Sequence, residues 1–199
     1  MKRIITILIA LFLSGYGFAQ NSFNECRDSL RWHFNNDTAF DYGNNISKWQ
    51  TCIQGKQIPE LSLETITGKK IETKDLKGKV IVINLWFTSC QPCIAELPAL
   101  NRLVTEYKDK DVVFLGLSTD TKEVLDSDFF PTYKFEFTII PKAFLQIVKL
   151  GETGYPTTYI IDKKGQVKDA WIGGAIDKTA ETVPYAKAKP IIDELLKEQ

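Results

Sequence analysis

The stretch Val80-Ile81-Val82-Ile83-Asn84-Leu85-Trp86-Phe87-Thr88-Ser89-Cys90-Gln91-Pro92-Cys93 decides the architecture. From Val80 to Phe87 both faces are apolar, the pattern of a central strand covered on each side by helices. The strand ends at Thr88-Ser89, and two thiols three residues apart stand where a helix begins. Pro92 fits in that first turn, because the N–H it lacks has no intrahelical acceptor there. The unpaired N–H groups and the positive end of the helix dipole favour a thiolate at the helix start. Cys90 therefore reads as a nucleophile, and Cys93, one turn further in, as the resolving thiol.

Working outward, Leu61 to Ile66 and Lys70 to Thr73 flank Thr67-Gly68 and read as a β-hairpin. Ile94 to Tyr107 has a helical period through Leu97, Leu100, Leu103, Val104 and Tyr107. Val112 to Leu117 is a second buried strand, and Lys122 to Phe130 a weaker helix limited by Pro131. A short strand is expected around Phe135, Phe137 and Ile139, then a short helix from Ala143 to Leu150. Thr157 to Ile161, the Lys163-Lys164-Gly165 turn and Val167 to Ile172 form another hairpin. Tyr185 to Lys197 closes the chain as an amphipathic helix. The fold class is α/β, with a central mixed sheet, flanking helices and an N-terminal β-hairpin.

Residues 20–56 differ in texture. They are polar and Asn-rich, carry aromatics at Phe23, Trp32, Phe34, Phe40, Tyr42 and Trp49, and read as an extension without a sustained period. Cys26 and Cys52 near its ends are expected to form a structural disulfide closing a loop of roughly 25 residues. Ahead of it, Lys2-Arg3, the apolar run Ile4 to Leu13 and the small residues Gly17 and Ala19 follow the order of a secretory signal. Residues 1–19 are thus expected to be removed after Ala19, leaving residues 57–199 as the main domain. The apolar run is about half of the roughly 20 residues a membrane-spanning helix needs.

The 199 residues are 44% hydrophobic and 25% charged, the balance of a globular chain. Twenty-five Lys and Arg face twenty-five Asp and Glu, so no basic excess supports nucleic-acid binding. Export matters for the four cysteines, because thiols outside the cytosol tend to end as disulfides. A zinc site would need four ligands, and His33 is the sole histidine, with no second Cys-x-x-Cys at Cys26 or Cys52. Ile94 stands where covalent haem attachment requires histidine. Cu(I) suits soft thiolates, yet the chain beyond Ala19 contains no methionine.

With these residues in place, Ile58 to Leu196 resembles a thioredoxin-fold protein of the exported TlpA/ResA type. Beyond the dithiol, Glu96-Leu97-Pro98 reproduces that subfamily's Cys-x-x-Cys-x-x-Glu-x-Pro run. Pro98 falls where the active-site helix is kinked, and Tyr155-Pro156-Thr157 at the cis-proline loop. The resemblance implies catalytic roles for Cys90, Cys93, Glu96 and Pro156, and substrate contact at Trp86, Gln91, Pro92, Tyr155 and Pro156. Glu96 would relay or hold a proton beside the dithiol. A cis bond at Pro156 would offer the backbone of Tyr155 to an incoming peptide as a strand-like partner. Trp86 either shields the site or packs in the core.

Two departures stand out. Ser89 replaces the tryptophan usual before the first cysteine, removing a flat apolar surface. Asn84 stands where thioredoxin itself has a buried acid, so that route for protons is expected to be absent. The reading is an exported, periplasmic or otherwise extracytoplasmic thiol:disulfide oxidoreductase, monomeric and without a cofactor or metal. It would reduce disulfide-containing proteins, apocytochrome c among them, and draw electrons from a membrane thiol donor. The alternatives are a Cu(I) metallochaperone, a partner-binding module with a spent dithiol, and a thiol peroxidase. The last fits poorly, because Phe87 stands where a peroxidatic cysteine needs Thr or Ser three residues upstream.

Overall fold

The valine- and isoleucine-rich run Val80–Trp86 forms β3, and every one of its seven residues is buried. It pairs in parallel with β4 (Val112–Ser118) and antiparallel with β6 (Thr157–Ile161), which makes it the centre of a five-stranded sheet. The order is β5-β4-β3-β6-β7, with β5 at Thr138–Ile140 and β7 at Val167–Ile172. A separate hairpin pairs β1 (Ser62–Glu64) with β2 (Lys70–Glu72). The computed structural model describes residues 23–39, 41–151 and 154–198. The expected secretory signal at residues 1–19 lies outside them. Among the described residues no helix is long and apolar enough to cross a membrane.

Strand alternation sorts the core into two layers. Ile81, Ile83 and Leu85 of β3 face one cluster with Leu115, Leu117, Tyr159 and Ile161. Val80, Val82 and Trp86 face the other, beneath α4 (Leu97–Glu106) and α7 (Val183–Lys197), with Leu100, Leu103, Ile192 and Leu195. Parity therefore turns Asn84 toward the second layer, the side on which the dithiol helix lies. Gly116, paired with Asn84, makes room for that layer: a Cβ there would come within 3.3 Å of Phe135, Ile139 and Trp86. This mixed sheet with helices on both faces and a leading hairpin is the thioredoxin arrangement expected from the resemblance.

The extension corrects the expectation of an aperiodic loop, because it is helical. Residues 23–36 form α1 and Tyr42–Ile53 form α2, capped by Asp41, whose side chain accepts from the Asn44 N–H at 3.0 Å. Phe23, Cys26 and Leu30 recur at i, i+3 and i+7, as do Ile46, Trp49 and Ile53, and both stripes are buried in the first core layer. Cys26 and Cys52 are disulfide-bonded as expected, with Cα atoms 5.7 Å apart and a sequence separation of 26, and the bridge joins helix to helix.

Smaller differences have local causes. The helix expected over Lys122–Phe130 keeps its α form only through Val124 (α5), then widens to a π turn with Phe130 N–H donating to the Leu125 carbonyl. The strand expected around Phe135 is shorter, because Phe135 and Phe137 are buried in the second layer ahead of β5. The short helix α6 occupies Phe144–Leu150.

Candidate active site

The chain leaves β3 at Phe87, turns, and enters α3 (Gln91–Ala95) with Cys90 as its N-cap. A cysteine can hold that position because its sulfur satisfies an orphan helix donor: Cys93 N–H points at Cys90 Sγ at 3.3 Å. Pro92 in the first turn has no N–H to strand. Cys90 and Cys93 are disulfide-bonded, with Cα atoms 5.2 Å apart, and both are buried, Cys93 the more deeply. Gln91 is exposed and Pro92 half-buried, so the edge of the motif that meets solvent is the Gln91-Pro92 side.

Pro98 then breaks the helix. It cannot donate to the Ile94 carbonyl, so α3 ends at Ala95, and Glu96 takes the junction before α4. The break turns the Glu96 side chain inward, where it is 1% exposed. Its Oε1 accepts from Asn84 Nδ2 at 2.8 Å, and the same amide donates to Thr158 Oγ1 at 3.1 Å. Oε2 is buried without a hydrogen-bond partner among the described residues. Burial pushes the Glu96 carboxyl up to about 8, against the opposing pull of the Asn84 hydrogen bond. The strand position carries an amide and no acid, and that amide holds the carboxyl of Glu96, which follows Cys93 by one helical turn.

The Tyr155-Pro156 peptide bond is cis. Gly173 N–H donates to the Pro156 carbonyl at 2.8 Å. Gly174 passes so near that a Cβ on it would lie 3.1 Å from Pro156 and 3.4 Å from Pro92. Glycine at 174 thus lets the loop after β7 close against both the cis-proline loop and the dithiol motif. Two residues on, Ile176 is 78% exposed beside this junction. The half-buried Tyr155 ring meets the ring of Phe87 edge-on at 5.0 Å.

Trp86 is placed elsewhere. It is fully buried among Phe129 and Phe135 at 4.6 and 5.2 Å, a core residue rather than a surface for substrate. Its even position on β3 sends the indole into the second layer with Val82, under the helices. Cys90, Cys93, Glu96, Pro156, Tyr155, Gln91 and Pro92 do converge at the carboxyl end of β3. Sequence reasoning missed Phe87, Gly174, Ile176 and Asp120. Asp120 Oδ2 accepts from Thr88 N–H at 2.6 Å and from Ser118 Oγ at 3.1 Å, fixing the turn into the motif from the end of β4. The Gly173-Gly174 pair was a visible sign of a close approach, whereas nothing local links Asp120 to Thr88.

Such a constellation performs thiol–disulfide exchange: a dithiol at a helix start, a buried carboxyl below it and a cis-proline edge beside it. Comparisons with known proteins agree. Residues 54–170, more than half of the chain, match the AhpC/TSA family. A thiol-disulfide oxidoreductase ResA of Bacillus cereus is 38% identical over 120 residues, 60% of this chain and 69% of that protein. The thioredoxin-like protein YneN of Bacillus subtilis is 36% identical over 149 residues, covering 72% of this chain and 86% of its own. In fold, the chain matches a thioredoxin-family thiol:disulfide interchange protein of Chlorobium tepidum with a TM-score of 0.57 at 23% identity, over 70% of this chain and 95% of that one. By its matched residues, its relatives and its fold, the chain belongs to the AhpC/TSA family and is a thiol:disulfide oxidoreductase of the ResA type.

Proposed function

We propose that the protein works outside the cytosol as a reductant of particular protein disulfides, with apocytochrome c as one task of this kind. Residues 1–19 would direct export, residues 20–56 would buttress the site, and residues 57–199 would carry the chemistry. The observation that carries the reading is the Cys90–Cys93 pair at the start of α3, followed at the helix break by the buried Glu96.

In the reduced enzyme, the Cys90 thiolate attacks one sulfur of the substrate disulfide. A mixed disulfide forms, and one substrate thiolate leaves and takes up a proton from water. Cys93 passes its proton to Glu96 and attacks Cys90 Sγ, releasing the second substrate thiolate, which is protonated in turn. The substrate gains two electrons and the enzyme ends as the Cys90–Cys93 disulfide. A carboxyl with a pKa of about 8 exists in both forms near neutral pH, as a proton carrier must. Pro156 orients the substrate by offering the Tyr155 backbone, with Gln91 and Pro92 beneath the incoming chain. Return to the dithiol needs an outside thiol, for which a membrane donor facing the same compartment is the natural source. The protein would act as a monomer.

The test is the equilibrium potential of the Cys90–Cys93 couple together with two variants. A value toward about −270 mV marks a dedicated reductant, and one near about −120 mV would make the protein an oxidant and overturn the direction proposed. Cys90→Ser should abolish disulfide reduction, and Cys93→Ser should accumulate a covalent substrate adduct, visible by mass spectrometry. An active Cys90→Ser variant would sink the assignment of roles.

A further inference from the structure

The N-terminal helices, in the core layer opposite α3, reach the chain just ahead of the cis-proline loop. Gly154, immediately before the cis-proline loop, is so tightly flanked that a Cβ on it would lie 2.9 Å from Ile172 and 3.1 Å from Tyr42 Oη. Tyr42 opens α2, yet its hydroxyl end lies at the loop that presents Tyr155 and Pro156. Tyr42 remains 45% exposed, a surface residue rather than a core one.

The placement is held from several directions. Gln50 Nε2 donates to the Ala170 carbonyl of β7 at 2.7 Å, and Trp49 meets Tyr159 of β6 edge-on at 5.9 Å. The disulfide joins α2 to α1, and Arg27 of α1 donates to the Lys149 carbonyl at 3.1 Å at the end of α6. Arg27 also lies against Gly151, leaving no room for a side chain there. Both ends of the segment leading to Pro156 are thus in contact with the extension.

We propose that Tyr42 is a specificity-determining residue. With Tyr155 and Ile172 it forms an apolar rim that receives an apolar or aromatic side chain next to the cysteine of an extended substrate segment. The inference rests on the oxidoreductase reading and deepens it by naming the substrate class. A segment pairing with the Tyr155 backbone projects alternate side chains to either side of the cis-proline loop. Pro92 and Gly174 pack at Pro156, and Tyr42 packs at Gly154, two residues ahead of it. An aromatic contact outside the reacting atoms acts on binding rather than on the sulfur chemistry.

The experiment uses two probe peptides, each with one internal disulfide, differing only in phenylalanine or serine beside the attacked cysteine. The full chain should reduce the phenylalanine peptide with about three- to tenfold higher kcat/KM, the size of one aromatic contact. Tyr42→Ala should bring that ratio below about twofold through KM, with the dithiol potential unmoved, and Tyr42→Phe should keep it. A Tyr42→Ala ratio equal to wild type, or a wild-type ratio of one, overturns the inference while leaving the oxidoreductase reading intact. So does a loss confined to kcat with a shifted potential, which would mean that Tyr42 only supports the fold. If the wild-type chain reduces neither peptide, the underlying reading fails and this inference with it.

Discussion

A carboxyl 1% exposed, with one amide donor and one bare oxygen, is costly to ionise, and Glu96 stands one turn from the resolving cysteine. The consequence can be read in stability as well as in rate. Folded Glu96 keeps its proton up to about pH 8, while the unfolded group releases it near its ordinary 4.5. Between those values the folded state binds the extra proton, so this group makes stability fall as pH rises, by about 1.4 kcal/mol per pH unit across the window. Glu106 and Asp193, held low chiefly by hydrogen bonds from Lys189, act below the ordinary carboxylate range and leave the window to Glu96. Urea unfolding at pH 5 and pH 8 should show the slope in the wild type and its loss in Glu96→Gln, which should be the more stable protein at pH 8. An unchanged slope in the variant would mean that another group carries it. Asp120 offers a second residue-scale test. Asp120→Ala strips acceptors from Thr88 N–H and Ser118 Oγ and should cost about 1–3 kcal/mol in the same assay.

At the scale of elements, what the sequence made legible followed from strong periods. Strand β3, apolar on both faces except at Asn84, and the dithiol helix were expected and are present, and so is the break at Pro98 that the resemblance implied. The helices of the extension are hard to read in the sequence because their two buried stripes are thin. Phe23, Cys26 and Leu30, and then Ile46, Trp49 and Ile53, are three positions each in a polar, Asn-rich background, and one of them is a cysteine acting as a small apolar side chain. The sequence alone leaves Trp86 between site and core, because a strand with two apolar faces does not reveal which neighbour each face meets. Register settled that question, and it also brought Asn84 under Glu96 from positions twelve residues apart. The two helices give the element-scale prediction. The Cys26→Ser/Cys52→Ser double variant frees α1 from α2 and should lower stability by about 2–4 kcal/mol while keeping disulfide reduction through Cys90 and Cys93. Loss of reduction with stability retained would exchange the roles of the two pairs.

The described residues build one five-stranded sheet beside a separate hairpin, with a core layer on each face of the larger sheet, and the dithiol and the N-terminal helices lie on opposite layers. Such a design raises the question of whether the extension is a detachable appendage or part of the folding unit. Phe23, Leu30 and Trp49 are buried against the same strands that hold Leu85 and Tyr159, and Arg27 and Gln50 bond to backbone carbonyls across the chain. Removing α1 and α2 would therefore open the first core layer to water at β6 and β7, where Trp49 meets Tyr159 and Gln50 bonds Ala170. The expected outcome is a single cooperative transition for the oxidised protein. Far-UV circular dichroism, which follows all helices, should superimpose in urea on tryptophan fluorescence, which follows the exposed Trp32 and buried Trp49 of the extension and Trp86 and Trp171 in the second layer. A helical signal lost at lower urea than the fluorescence of the second layer would separate the extension from the domain. It would then also weaken the case that Tyr42 is held firmly enough at the cis-proline loop to select a substrate.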